Sequence, residues 1–200
     1  MQKKGLPASD QAAPWGLDPG GHFPMVDAST SHPVLEPIFG ALKNAGSGPL
    51  NIHRIIANAP DFYAGFSHFA TVLRGRGETS RAERELAILH TVLSLGARYE
   101  SIQHRRIALK VGLNEEQVDN VLDWRNQTCF DERQTVLLEL AEAVLKSRAL
   151  SSDQWQRISA SLTRGEVVEI ALTTAFYSAV SQLTHVIPVP PEETVTNYGE

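Results

Sequence analysis

Five helix starts can be read along this chain, each from a short side chain bearing an oxygen three places ahead of a Glu or a Gln: Ser80 before Glu83, Asn114 before Gln117, Asp131 before Gln134, Ser151 before Gln154, and Thr163 before Glu166. At that spacing the first side chain accepts a backbone N–H of the first helical turn, and the second reaches back to the N–H of the cap. Each pair therefore marks a helix start. Gly96 and Gly112 stand where two helices, 81–95 and 97–111, should end, because glycine takes up the left-handed C-cap conformation without penalty. The other four capping pairs open helices over 115–124, 132–148, 152–161 and 164–187, and further helices are placed over 34–45, 50–58 and 60–74. No stretch alternates apolar and polar residues over a strand length, and Pro188 interrupts the one β-rich run at Val186–Val189. The predicted fold class is all-α.

Residues 1–33 are rich in Gly, Pro, Ser and Asp and are expected to form a largely irregular N-terminal arm. A single all-helical domain is expected over 34–187. Pro188, Pro190 and Pro191 then open a C-terminal tail, 188–200. The segment from Thr163 to Ile187 is apolar almost all round. It is expected to be buried on every side, in the core or in an oligomer interface.

Composition narrows the function. With 18 Lys and Arg against 23 Asp and Glu, the net charge is −5, which gives no electrostatic reason to bind nucleic acid or an anionic membrane surface. No apolar run approaches the roughly 20 residues that span a bilayer, and no apolar stretch follows the basic first residues as a secretory signal would require. A cytoplasmic location is expected. Cys129 is the sole cysteine, so no intrachain disulfide forms and no multi-cysteine metal site exists.

Within helix 81–95, Ala82, Leu86, Leu89 and Leu93 line one stripe, and Glu85 lies inside it. On helix 97–111, Glu100, His104, Ile107, Ala108 and Val111 share a face, with Glu100 and His104 stacked four apart. The break at Gly96 lets the two helices fold together, so that Glu85 approaches the Glu100–His104 pair. Two inward carboxylates and an imidazole perturb one another's protonation, which is how a protein runs acid–base chemistry near neutral pH. A bland reading is open too: a Glu–His pair at this spacing also serves as plain helix stabilisation. His90 falls off the opposite shoulder of its helix and reads as structural. The aromatic residues Phe62, Tyr63, Phe66 and Phe69 have helical spacing and read as core packing or as the wall of a pocket.

The strings Arg84-Glu-Leu-Ala-Ile-Leu, Tyr99-Glu-Ser-Ile-Gln-His104 and Ile107-Ala-Leu-Lys-Val-Gly-Leu113, with Asn51-Ile-His-Arg54 through Pro60 upstream, resemble the carboxymuconolactone decarboxylase family, within the alkylhydroperoxidase D-like superfamily. The resemblance implies a helical bundle of that type and a homo-oligomer, trimer or hexamer. The peroxidase branch carries a C-x-x-C ahead of the histidine; here those positions are Ala97 and Glu100, so thiol peroxidase activity is not expected. The decarboxylase branch implies a small carboxylated lactone or related ring as substrate, with no organic or metal cofactor. His104, Glu100 and Glu85 would be catalytic. Tyr99, Arg54 and Phe66 would bind substrate, Arg54 by its guanidinium. The family's usual Trp after Tyr-Glu is Ser101 here, which removes a large wall or packing group. Two rival readings are a metal-dependent enzyme using Glu85, Glu100 and His104 as ligands, and a non-catalytic oligomeric binding protein.

Overall fold

All five capping pairs close in both directions in the structure, a computed structural model described over residues 23–46 and 48–192. Every regular element among these residues is a helix: α1 Leu35–Asn44, α2 Asn51–Ile56, α3 Pro60–Gly75, α4 Arg81–Ser94, α5 Arg98–Lys110, α6 Glu115–Asn120, a 3₁₀ turn Val121–Asn126, α7 Glu132–Leu145, α8 Ser152–Ser161 and α9 Arg164–Val186. Gly96 and Gly112 take the expected left-handed conformation, with φ of 68° and 109°. None of the described helices is long and apolar enough to cross a membrane.

Two helices depart from their predicted lengths. The helix expected over 115–124 gives way to the 3₁₀ turn after Asn120. Three residues per turn place Val121 and Trp124 on one face, and both are buried there. The helix expected to reach 148 stops at Leu145, where Ser147 adopts φ of 48° and ends the α-helical run. Residues 23–33 of the expected arm and 188–192 of the expected tail are not helical. The rest of both segments, 1–22 and 193–200, lies outside the described residues.

The described residues form two compact units, 23–64 with 187–192, and 65–186. In the first, Leu35, Phe39, Ile52, Ile55 and Tyr63 make a small core, with the Phe39 and Tyr63 rings edge to face at 5.7 Å. Asn51 fastens the return of the chain: its backbone N–H donates to Glu192, and its side-chain amide donates to the carbonyls of Pro190 and Pro191.

In the second unit α4 is the central element. Nine consecutive residues, Arg84 to Val92, are buried, because α5, α7 and α9 all pack against α4. Segment 164–187, expected to be buried in the core or in an oligomer interface, is covered only in part within one chain. In α9, Val168, Leu172 and Val186 are 55%, 46% and 80% exposed, while its inward positions include Thr173, Thr174 and Ser181, which are fully buried. Polar contacts tie the start of α4 to the start of α9. The Glu169 carboxylate accepts from the backbone N–H groups of Glu78 and Thr79, Arg84 donates to the Thr79 carbonyl and hydroxyl, and Arg133 of α7 bridges Glu83 and Glu166. These bonds fix the first turn of α4, and so the height at which Glu85 enters the core.

Candidate active site

Glu85 is completely shielded from solvent, one turn into α4. One oxygen, Oε1, accepts from the Arg81 guanidinium a turn earlier on the same helix. The other, Oε2, lies 2.7 Å from Nδ1 of His104 on α5. A buried carboxylate with two such partners has its desolvation offset by a cation and a hydrogen bond. With Nδ1 engaged by Glu85, Nε2 is the nitrogen of His104 left to exchange a proton.

Glu100 lies a turn before His104 and is almost fully buried. It does not bond the imidazole. Its Oε2 accepts from the hydroxyl of Thr184 on α9, at 3.0 Å, and its Oε1 has no protein partner. Burial raises the Glu100 carboxyl above its ordinary value, against the downward pull of its own backbone N–H, the Thr184 hydroxyl and the nearby His104 and His185. A raised carboxyl beside a carboxylate-held imidazole is the arrangement by which two groups divide acid and base roles.

Aromatic rings continue the site. Tyr177 of α9 stands edge-on to His104, with centroids 4.6 Å apart. Burial, with the Glu85 carboxylate second, pushes its phenol upward, so it stays protonated. Phe176 packs against Tyr177, Phe66 and Phe69 at 5.4, 5.0 and 5.2 Å. The expected Phe66 is thus joined to His104 through two intervening rings. Tyr99 is half-buried on α5. Arg54 belongs to the first unit, where its Nε donates to the Val26 carbonyl at 2.9 Å. Phe62 points to solvent, 82% exposed, and Tyr63 is core.

Three residues at the site escaped the sequence reading. Arg81 had a legible signal, its four-residue spacing from Glu85 on one helix face. Tyr177 and Thr184 had none, because the largely apolar pattern of α9 hid its polar inward positions. His90 is buried away from these groups, and desolvation lowers its imidazole to about 4, so it stays neutral. Cys129 packs beside the cluster around Trp124 and Phe130, and desolvation raises its thiol further from the thiolate. Among the described residues no group of three or more His, Cys, Asp or Glu side chains is placed to hold a metal ion, so Glu85, Glu100 and His104 do not make up that ligand set. A separate surface cleft of about 510 Å³ lies between the 3₁₀ turn, α7 and α8. Its Arg157 is already paired with Glu139.

Residues 60–143 match the carboxymuconolactone decarboxylase family. No curated protein is significantly similar to the sequence. Among solved structures, a peroxidase-related protein from Ralstonia eutropha JMP134, described as an alkylhydroperoxidase AhpD core, superposes with a TM-score of 0.74 at 20% identity, over 86% of this chain and 93% of its own. A peroxidase-related protein from Silicibacter sp. TM1040 gives 0.73 at 18% identity, over 94% and 97%. The debrominase Bmp8, in complex with 2,3,4-tribromopyrrole, gives 0.67 at 19% identity, over 84% and 91%. At these identities the likeness establishes the fold, an AhpD-like all-helical one.

Proposed function

From a chain whose residues 60–143 match the carboxymuconolactone decarboxylase family, we propose an acid–base enzyme, independent of any cofactor, that acts on a small carboxylated lactone or related ring by decarboxylation or proton transfer. The observation that carries this reading is the Glu85–His104 bond at 2.7 Å inside a shielded core. It orients the imidazole and reserves Nε2 for the substrate. In a decarboxylation, the C–C bond to the carboxylate breaks and CO₂ departs without the bonding pair. That pair spreads into the conjugated ring carbonyl, and a proton from His104 Nε2 then adds to the carbon.

Arg81 strengthens the case for an anionic substrate. Its Nη1 is buried without a protein partner, a donor available to a substrate oxygen. Tyr99 and Phe66 are proposed as substrate-facing walls. Assembly into a homotrimer or hexamer in the cytoplasm is part of the same proposal, and exposed Val168, Leu172 and Val186 supply apolar surface for it. Light scattering on the purified chain tests the assembly.

The chemistry is tested by incubating the purified protein with γ-carboxylated lactones and following CO₂ release and loss of ring absorbance. Turnover that survives chelation and disappears in His104→Ala supports the reading. Turnover that needs an added divalent metal, or that persists at full rate in His104→Ala, overturns it.

A further inference from the structure

Glu100 differs from every other group at the site in having one oxygen held and one oxygen idle. On α9, Tyr177, Ser181 and Thr184 follow one another at steps of four and three, the spacing of a single helix face. Two of them reach the motif helix α5 in reversed order: Tyr177 meets His104, and Thr184 meets Glu100. Thr184 Oγ1 lies 3.0 Å from Glu100 Oε2 and 3.2 Å from the Ser181 carbonyl.

A hydroxyl has one proton to give and lone pairs to receive. Facing an ionised Glu100, Thr184 donates to Oε2. Facing a Glu100 protonated on Oε2, it accepts from that oxygen and gives its own proton to the Ser181 carbonyl. Oε2 is satisfied in either state. Oε1, buried and without a protein partner, can then be satisfied only by a guest or an ordered water.

We propose that Thr184 is a positioning residue that holds Glu100 through Oε2 and so reserves Oε1 as the second acid–base point of the site, facing an oxygen of the bound ligand. The ligand class this selects carries a polar oxygen, carbonyl, carboxylate or ring, next to the atom served by His104 Nε2. This rests on the acid–base reading given above. The charged and titratable groups around Glu100 are His104 on its own helix and His185 and Tyr177 on α9, with Glu85 of α4 behind His104.

The test needs no known substrate. Protein labelled with ¹³C at the Glu side-chain carboxyl is titrated by NMR, and the Glu100 signal is assigned by its loss in Glu100→Gln. Thr184→Val removes the hydroxyl at nearly constant volume, and Thr184→Ser returns it. The expected result is a Glu100 midpoint that rises in Thr184→Val by about half a pH unit or more, the effect of one ordinary hydrogen bond, and falls back in Thr184→Ser. The ¹⁵N shifts of the His104 ring should be the same in all three proteins. Thr184→Ala serves in the same comparison if the valine variant does not fold. A midpoint unmoved by loss of the hydroxyl, or not restored by serine, overturns the proposal, even where the lactone assay succeeds. If the lactone assay fails while the midpoint moves as expected, the substrate class falls and the role of Thr184 stands.

Discussion

Tyr177 stands edge-on to His104, their ring planes at 83° and their centroids 4.6 Å apart. The contact supplies packing and shields the imidazole from water. Tyr177→Phe keeps the ring and should unfold in urea within about 1 kcal/mol of the parent. Tyr177→Ala empties a buried ring site and should lose about 3–5 kcal/mol. Equal midpoints for the two variants would show that the ring carries no packing role.

Glu85 gives His104 its only carboxylate hydrogen bond among the described residues. Glu85→Gln removes the charge from between Arg81 and the imidazole. Turnover in the lactone assay should fall by about 10²-fold or more, as general acid–base catalysis requires. A parent-like kcat in this variant would remove Glu85 from the mechanism.

Glu100 makes stability depend on pH in a direction opposite to that of most carboxylates. Its folded-state carboxyl is raised above its ordinary value, so the folded chain binds the proton more tightly than the unfolded chain. Stability from this group therefore falls as pH rises from the ordinary carboxylate value through the raised one. Glu100→Gln, always neutral, should gain stability over the parent at pH 8 and lose that advantage near pH 4. Thermal melts of both proteins across this range check it; a difference independent of pH would refute it.

His90 acts with the reverse sign. Burial holds it at about 4 against an ordinary 6.5, so its neutral form supports folding above 6.5, and that support drains away as pH falls towards 4. His90→Gln should flatten the acid limb of the stability curve between these values. An unchanged limb would place the acid sensitivity elsewhere.

Gly96 turns the chain from α4 into α5 at φ of 68°. An added Cβ meets nothing within 4 Å, so the cost of Gly96→Ala is backbone strain alone, about 1–2 kcal/mol. Denaturant unfolding measures it. A neutral result would mean that the turn can relax without moving Glu85 away from His104.

Legibility varied by element. The capping pairs at Ser80, Asn114, Asp131, Ser151 and Thr163 all mark real helix starts, since capping is settled among residues three apart. The ends at Asn120 and Leu145 were less legible, because there the burial of Val121 and Trp124 and the turn at Ser147 outweigh helical propensity. The stripe on α4 was read as one face, although that helix is covered all round. Periodicity reports where apolar residues lie, not how many neighbours arrive.

Helix starts and the glycine turn follow from contacts within a short stretch of chain, where spacing alone sets geometry. It took the packed fold to decide that Glu85 rather than Glu100 bonds the imidazole, and that α9 brings Tyr177 and Thr184 to α5. Thr184 and Glu100 are 84 positions apart. No local periodicity connects residues so distant; only the burial of α4 beneath α5, α7 and α9 brings them together.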